Sequence, residues 1–320
     1  MTTMGDAAGG TVQGVLEAAL RAPSAHNAQP WRLSSGGGGG YLLWYAASDR
    51  LLADPDDRDG IMALGGFFET LSLVAAGAGL RADLDFEFEE HSWGLSLGTI
   101  RFVPGAAPDP LSPAVATRQC NRNAYSTGPL PPGLGAALEE LGQVLLAPSL
   151  VAPLVARASV MAWKDTRFVT DLRGWTRFDD TSADGMTVDC LQLTGLDQAA
   201  LRYALGRGRL PAGLARLYAE RDVRLTRASG AMAVLTAPDR EPQTLFNCGR
   251  RLIRSWTLVN SLGYCWHPMS IVIDQPTVSE LGALVGGQDP VAIYRVGHTA
   301  RPAAWSKRRA LERVLVPPPA

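Results

Sequence analysis

The chain has 320 residues, of which 46% are hydrophobic, and its 30 basic and 31 acidic side chains leave a net charge of −1. This length is enough for a large core and about two domain-sized units. The balanced charge, without a long basic block, argues against nucleic acid or an anionic membrane as a partner. The four cysteines are scattered without a CxxC pair, and the first residues do not have the basic-then-apolar pattern expected of a signal peptide. We therefore expect reduced thiols in a cytoplasmic protein.

The first predicted elements are a helix and a pair of strands. Thr11 is a suitable N-cap for a helix whose apolar side chains recur every three or four residues up to Leu20, and Pro23 ends that helix. Apolar runs rich in aromatic residues predict strands at residues 31–33 and 41–45, joined by the flexible stretch "SSGGGGG".

The most apolar segment covers residues 61–80, "IMALGGFFETLSLVAAGAGL", and is long enough to cross a membrane. However, Glu69 lies in its middle, four glycines lower its helix propensity, and a lone Arg81 follows it where a span would have an aromatic belt. We therefore predict a buried central helix, followed by strands at residues 84–88 and 99–103.

The second half of the chain repeats this order of elements. A strand is predicted at residues 231–236, a long helix at 249–264 and a further strand at 292–296. The helix that opens at Gly249 can be aligned with the segment that opens at Gly65, with a second glycine near the end of each. The matching order predicts an α+β fold built from two related halves.

Two patterns suggest catalytic residues, and neither has the context that its chemistry needs. "GLSLG" at residues 94–98 matches a hydrolase nucleophile motif around Ser96, with Asp274 and His298 following in a suitable order. That motif requires a helix after the serine, whereas "TIRFV" alternates as a strand does. His26 stands too close to Ser24 on one tight turn for a catalytic pair, and no ligand spacing predicts a metal site.

Two clusters of arginines are candidate phosphate-binding sites. They are "RQCNR" at residues 118–122 and "SKRRALERVL" at residues 306–315. The planar fork of arginine suits phosphate oxygens, although each cluster alone is also typical of a solvated face. Neither a P-loop nor a G-x-G-x-x-G loop after a strand competes with them.

Four segments together resemble the flavin-dependent nitroreductase family. "APSAHNAQPWRL" resembles the family's P-S-x-x-N-x-Q-P-W motif, and "RQCNR" with the following "PLPPGL" resembles its phosphate motif. "GYCWHPMSIV" is similar to the segment beside the flavin ring, and "AWSKRRALERVL" is similar to the basic C-terminal phosphate clamp. "HPMSIVID" and "RVGHTARPAAWSKRR" look most like the double-length, Acg-like branch of the family.

The resemblance implies a nitroreductase-like fold in which two halves of one chain form an internal pseudo-dimer with mixed sheets and long central helices. The first half is expected at residues 1–110 with the ring-side loop, and the second at residues 111–320 with the phosphate site. Residues 106–230 are predicted to be helical at "PPGLGAALEELGQVLL" and otherwise irregular. Within them, residues 173–230 would form a lid. One copy of each motif implies a single FMN site, in a monomer or a homodimer.

The resemblance also assigns roles residue by residue. Ser24 and Asn27 would hydrogen-bond the ribityl chain and the ring edge, Pro23 would shape their turn, and Gln29 and Trp31 would brace it. The expected phosphate ligands match the two basic motifs: Arg118, Gln119, Cys120, Arg122, Arg308 and Arg309, with Lys307 as an alternative. The segment beside the reactive ring nitrogen would be formed by Pro268, Met269 and Ser270.

The function that the resemblance implies is an FMN-dependent oxidoreductase. It would transfer hydride between NADH or NADPH and a small nitro compound, quinone, enone or biosynthetic intermediate, with FMN supplying the chemistry. No catalytic side chain is assigned, which suits a chain with four histidines. The alternatives are a non-enzymatic protein that stores FMN and, more remotely, a serine hydrolase that uses Ser96.

Overall fold

A computed structural model describes residues 4–208 and 210–318 of the chain. The helices are α1 (Met4–Ala19), α2 (Arg58–Gly77), α3 (Pro132–Glu140), α4 (Pro148–Ala162), α5 (Thr166–Trp175), α6 (Gly195–Arg207), α7 (Ala212–Arg227), α8 (Pro242–Ser261) and α9 (Val278–Leu284). The strands are β1 (Trp31–Ser35), β2 (Tyr41–Ala46), β3 (Leu80–His91), β4 (Gly94–Pro104), β5 (Gln143–Leu146), β6 (Thr176–Arg177), β7 (Met186–Thr187), β8 (Ala231–Ala237), β9 (Cys265–Pro268) and β10 (Asp289–Gly297).

Two four-stranded antiparallel sheets have the same topology. The first has the order β1-β2-β4-β3 and the second the order β5-β8-β10-β9. In each sheet a 20-residue helix connects the second strand to the edge strand: α2 follows β2 and precedes β3, and α8 follows β8 and precedes β9. The predicted α+β class is confirmed, and the repeated topology is what two related halves in one chain would have.

The two long helices pack against each other through a pair of glycines. A Cβ atom on Gly65 of α2 would lie 1.9 Å from the carbonyl oxygen of Phe246, and one on Gly249 of α8 would lie 2.0 Å from the carbonyl oxygen of Met62. Each glycine therefore faces the residue three positions before the other glycine. This reciprocal contact is the pattern that a two-fold axis between the halves produces.

The central helix is buried, as predicted. Glu69 is 2% exposed, and it accepts hydrogen bonds from Arg250 Nε at 2.9 Å and Arg254 Nη1 at 2.8 Å, both on α8 of the other half. Within the described residues α2 is the one helix long and apolar enough for a membrane span, and 78% of its most apolar window is buried inside the protein. The apolar surface of α2 thus packs against protein.

Several predicted boundaries are wrong, for local reasons. The first helix begins at Met4, before Thr11. The second long helix begins at Pro242, because proline fits the first position of a helix, where no N–H partner is needed. Gly142, with φ of +80°, ends α3, so the last residues of "PPGLGAALEELGQVLL" form β5 and not helix.

The connection between the halves contains more structure than predicted. Helices α4 to α7 fill much of the stretch expected to be irregular. The last of them, α7, packs on α4, and residues of α5 and α6 form a separate small core around Trp163 and Leu205. Strand β9 was also missed, since its sequence "CWHP" is short and ends in proline.

Candidate functional site

A cleft of about 1180 Å³, including the space open to solvent, lies between the two halves. The first half contributes the turn after α1 and one face of α2, and the second contributes residues 118–122, α8, β10 and the segment before the C-terminus. Four α2 residues at helical spacing form part of its floor: Asp59, Met62, Ala63 and Gly66. Both halves are therefore needed to build the cleft.

The turn after α1 holds its side chains in an unusual backbone conformation. His26, Asn27 and Gln29 have φ values of +51°, +56° and +53°, a region that costs energy for residues other than glycine. Ser24 Oγ accepts a hydrogen bond from the Gln29 N–H at 2.8 Å, and Asn27 Nδ2 donates to Gly185 O at 2.9 Å and to Lys307 O. The turn is thus fixed by contacts with distant parts of the chain.

Residues 176–192, which we call the strap, run beside this turn. The Gly185 N–H donates to Asn27 O at 3.2 Å, and Gln29 Nε2 donates to Ala183 O at 2.8 Å. Met186 and Cys190 of the strap line the cleft. The strap belongs to the region predicted to form a lid, and it is anchored to the turn that bears Ser24 and Asn27.

Three arginines form a cluster at one end of the cleft. Arg118 is 3% exposed, its guanidinium stacks 4.8 Å from the Trp256 ring, and its Nη2 donates to Arg21 O. Arg308 Nε donates to Ala22 O at 3.1 Å, and the Arg21 guanidinium lies 4.4 Å from the Trp305 ring. Because backbone carbonyls and aromatic faces orient them, the three cations converge on one place.

No counter-ion balances this cluster within the described part of the chain. None of the three arginines forms an ion pair with a carboxylate there. Burial and the neighbouring Arg21 lower the pKa of Arg118 to about 9, and burial and the charges of Arg118 and Arg21 lower the pKa of Arg308 to about 9. A bound anion would relieve both the burial cost and the mutual repulsion.

Among the described residues that line the cleft, Asp59 is the one carboxylate, and Arg58 links it to Asp274. Asp59 lines the cleft, and its Oδ1 accepts from Arg58 Nη2 at 2.8 Å, while the same Nη2 lies 2.6 Å from Asp274 Oδ1. Burial and the Asp59 charge raise the pKa of Asp274 to about 6 and that of Asp54 to about 7. One arginine thus faces three carboxyl groups, in contrast to the arginine cluster.

Three cleft residues carry buried polar atoms that have no hydrogen-bond partner among the residues that the structure describes. They are Arg118 Nε, Gln119 Oε1 and His26 Nδ1. Buried polar atoms are rarely left unpaired, so unpaired atoms lining one cleft indicate a polar ligand. Donors and acceptors both occur among them, as a ligand with phosphate, hydroxyl and ring-edge groups requires.

Ten of the twelve predicted site residues line this cleft: Pro23, Ser24, Asn27, Arg118, Gln119, Cys120, Arg122, Pro268, Ser270 and Arg308. The structure therefore brings Ser24 and Asn27 of the first half to the same cleft as Arg118. Asn27 uses its amide hydrogens on backbone carbonyls, so its carbonyl oxygen is the part of this side chain left for a ligand. Cys120 provides a thiol to the cleft, and burial raises the pKa of that thiol.

Met269 and Arg309 are the two predicted residues that the structure does not bring to the cleft. Met269 is buried in the core of the second half, and its N–H donates to Ile293 O at 2.9 Å. Arg309 makes ion pairs with Asp49 at 3.2 Å and with Asp184 of the strap at 2.9 Å. Its charge is already balanced, so the structure offers no support for a phosphate role.

Sequence reasoning missed several cleft residues. Arg21 directly precedes the "APS" motif, and this position is the signal that could have identified it. Asp59 stands in the first turn of an apolar helix, where acidic residues are common for helix stability alone. Trp256 and the strap residues Met186 and Cys190 had no sequence signal, because tertiary packing places them here.

The serine hydrolase has no support in the structure. Ser96 lies inside β4, is 6% exposed and pairs with Trp44 of β2 and Glu89 of β3. Strand β4 continues from Ser96 to Pro104, so the strand predicted from "TIRFV" is confirmed and Ser96 does not stand at a strand-to-helix turn.

The chain is similar in sequence to two proteins of Mycobacterium tuberculosis. They are "Putative NAD(P)H nitroreductase Rv3131" of strain H37Rv and "Putative NAD(P)H nitroreductase MT3217" of strain CDC 1551, each 32% identical over 178 residues. The alignment covers 52% of this chain and 51% of each relative, so the chain spans about half the length of the curated relatives it matches. No family model matches the chain. The resemblance to the nitroreductase family is confirmed by these relatives.

Solved structures with weak similarity bear related names. The FMN and NADPH-dependent nitroreductase NfnB from Sphigopyxis sp. strain HMH is 17% identical, with a TM-score of 0.39, and covers 64% of this chain and 97% of its own. The FMN-dependent NfnB from Mycobacterium smegmatis, in complex with NADPH, is 14% identical with the same TM-score and covers 62% and 94%. These TM-scores are too low to support an argument about fold or function.

Proposed function

We propose that the chain binds FMN in the cleft between its halves and acts as an FMN-dependent NAD(P)H oxidoreductase. The observation that carries the proposal is the cluster of Arg21, Arg118 and Arg308 around the buried Arg118, which has no carboxylate counter-ion among the described residues. The names of the two relatives, both NAD(P)H nitroreductases, support the same class of reaction. The second substrate would be a small nitro compound, quinone, enone or biosynthetic intermediate.

The residues present fit FMN in both charge and polarity. The arginine cluster would hold the phosphate, since charge-assisted hydrogen bonds from guanidinium groups suit phosphate oxygens. Ser24 and Gln119 line the cleft with polar groups for the ribityl hydroxyls, and Met62 and Ile293 give the apolar contact that a flat ring requires. Ser270 would take the place beside the reactive ring nitrogen, because Met269 uses its own N–H in the sheet.

Bound FMN would supply the hydride-transfer chemistry, and the chain would supply binding, orientation and exclusion of water. The aromatic faces of Trp256 and Trp305 orient the guanidinium groups of the cluster. We assign no catalytic side chain to the chain, in keeping with its four histidines.

The proposal is tested by ligand titration. Purified protein is titrated with FMN and, as a matched control, with riboflavin, which lacks the phosphate. We expect FMN to bind at least tenfold more tightly, because a hydrogen bond to a charged group contributes about 1.5–3 kcal/mol. NADPH should then bleach the bound flavin without oxygen, and air should restore the colour. A protein that binds neither flavin contradicts the proposal.

The strap favours a second candidate, which is storage of FMN without turnover. Its hydrogen bonds to Asn27 and Gln29 and its ion pair with Arg309 hold it against the cleft. A strap that stays in this position would restrict the access of a nicotinamide to the cleft, because its Met186 and Cys190 line it. Bleaching by dithionite but not by NADPH would support storage, whereas rapid bleaching by NADPH supports the oxidoreductase.

We further propose a cytoplasmic location and the predicted halves at residues 1–110 and 111–320. The four cysteines are free, which suits a reducing compartment. We also propose that the internal pseudo-dimer makes the site without a second copy of the chain, because residues from both halves line one cleft.

A further inference from the structure

The floor of the cleft leads from the Asp59 carboxylate to the arginine cluster. One face of α2 begins at Asp59 and reaches Gly66, a rise of about 10 Å for seven residues. A Cβ atom on Gly66 would lie 2.9 Å from Cγ1 of Ile253, and the next turn of α8 bears Trp256, on which Arg118 stacks. Asp59 and Arg118 thus mark opposite ends of one mostly apolar floor.

The Asp59 carboxylate is held in place through one of its two oxygens. Its Oδ1 accepts from both Nε and Nη2 of Arg58, at 3.0 and 2.8 Å, and Arg58 is fixed in turn by Asp274. No side-chain hydrogen bond reaches Asp59 Oδ2 within the described residues, and the side chain is 23% exposed. A fixed carboxylate oxygen facing a cleft requires a hydrogen-bond donor from a ligand or from water.

The chemistry of the ligand decides which donor meets this oxygen, and this step rests on the proposed function. The oxidised isoalloxazine ring carries a single polar hydrogen, on N3, and its other polar ring atoms are acceptors. A carboxylate can only accept. With the phosphate held by the arginine cluster, the ring end of FMN would lie along the floor toward Asp59.

We propose that Asp59 Oδ2 accepts a hydrogen bond from the N3–H group of bound FMN. Asp59 then recognises the ring of FMN, and the arginine cluster recognises its phosphate. Arg58 acts as a positioning residue, since it aims the carboxylate and does not line the cleft. A negative charge beside the ring also disfavours the extra charge of reduced flavin, so Asp59 lowers the reduction potential.

The test compares FMN with 3-methyl-FMN, in which a methyl group replaces the N3 hydrogen. We expect wild-type protein to bind FMN roughly tenfold or more tightly than 3-methyl-FMN, the size expected for a charge-assisted hydrogen bond. Asp59→Ala should bind the two flavins about equally. Asp59→Asn, which keeps the shape and a neutral acceptor, should discriminate less than wild type and should raise the reduction potential of bound FMN.

Asp274→Asn is the matched control, because Asp274 does not line the cleft and the asparagine oxygen can still accept the hydrogen bond from Arg58. It should keep the discrimination between the two flavins. Equal affinity of wild-type protein for FMN and 3-methyl-FMN would overturn the Asp59 contact. The proposed function would still stand in that case if the protein preferred FMN over riboflavin. Loss of discrimination in Asp274→Asn but not in Asp59→Ala would also overturn it. If Asp59→Ala fails to fold, the wild-type comparison and Asp59→Asn still decide.

Discussion

At the scale of single residues, the presence or absence of carboxylate partners distinguishes arginines that are equivalent in the sequence pattern. Arg118, Arg308 and Arg309 all fall in basic motifs of the family pattern. Arg309 pairs with two aspartates, whereas Arg118 and Arg308 contact backbone carbonyls and aromatic rings. An arginine that already pairs with two carboxylates gains little stabilisation from a phosphate, whereas an arginine without a carboxylate partner gains much.

This contrast predicts different effects of two alanine substitutions. Arg118→Ala should raise the dissociation constant for FMN by roughly ten- to a hundredfold and leave that for riboflavin nearly unchanged. Arg309→Ala should change the affinities for FMN and riboflavin by the same factor, because it alters the strap and not the phosphate contact. Fluorescence titration of both variants with both flavins measures this, and a phosphate-specific loss in Arg309→Ala would contradict the assignment.

Asp54 makes stability depend on pH in a definite direction. It is 7% exposed, and its Oδ2 accepts from the Gly60 N–H in the first turn of α2 at 3.0 Å. Burial and the Asp59 charge raise its pKa from 3.8 to about 7, while Arg58 opposes the shift. The folded state therefore binds more protons than the unfolded state between these values, so this group's contribution to stability falls as pH rises from about 4 to about 7.

Asp54→Asn should remove that dependence, because asparagine keeps the acceptor for Gly60 and does not ionise. We expect the free energy of unfolding of wild-type protein, relative to the variant, to decline between pH 4.5 and 7.5, as measured by urea unfolding. A difference that stays constant, or grows with pH, would show that Asp54 is ionised throughout.

The sequence was sufficient to predict some residues of the site and not others. The motif positions of Ser24, Asn27 and Arg118 were sufficient to indicate one shared cleft, because family motifs record which residues meet a ligand. The sequence could not indicate that Asp49 and Asp184 would neutralise Arg309. Nor could it indicate Asp59, since the partner of a helix-terminal carboxylate depends on tertiary packing.

At the scale of elements, the two long central helices and α3 were predictable, and helices α4 to α7 of the connection were not. An apolar run with an interior glutamate predicted the buried helix α2, and the aligned glycines predicted its counterpart. The helices of the connection lack such a strong pattern: α4 contains Pro153, and α6 has apolar residues on no consistent face. Local propensity alone does not define elements whose stability comes from packing on their neighbours.

The glycine pair at the helix crossing should be intolerant of any side chain. Gly65→Ala and Gly249→Ala would each place a methyl group within about 2 Å of a backbone oxygen, so the helices must separate. We expect each variant to lose about 1–3 kcal/mol or more of stability. Gly14→Ala is the control, because its Cβ meets no atom within 4 Å on α1, and it should gain up to about 1 kcal/mol. Comparison of urea unfolding midpoints tests this, and equal effects at Gly14 and Gly65 would contradict it.

At the scale of the whole molecule, a second groove is related to the cleft by the internal symmetry. When α2 and α8 are aligned so that Gly65 matches Gly249, each floor residue of α2 matches an α8 residue that lines the second groove. The counterparts of Asp59, Met62, Ala63 and Gly66 are Gln243, Phe246, Asn247 and Arg250. In the same way, Leu252 and Trp256 of the cleft correspond to Phe68 and Ser72 of the groove. The two symmetry-related positions therefore hold one cleft and one groove with different lining residues, which we call the altered groove.

The altered groove lacks what FMN requires. Arg250 occupies the position of Gly66, so a long side chain stands where the cleft floor has none, and that arginine pairs with Glu69. Ser72 replaces the Trp256 ring on which Arg118 stacks, and Arg81 is paired with Asp83. The described residues of this groove thus include no unbalanced arginine for a phosphate.

This asymmetry predicts one FMN per chain, although the fold has two related halves. Titration of purified protein with FMN should saturate at a molar ratio of one, and Arg118→Ala at FMN concentrations near the wild-type dissociation constant should leave little flavin bound. Arg81→Ala is the matched control in the altered groove and should not change the ratio or the affinity, because its partner Asp83 already balances its charge at the surface. A ratio of two, or flavin retained in Arg118→Ala and lost in Arg81→Ala, would place FMN in the groove and reverse the assignment. The prediction depends on which arginines lack counter-ions and not on the number of halves, so it separates the cleft from its symmetric counterpart.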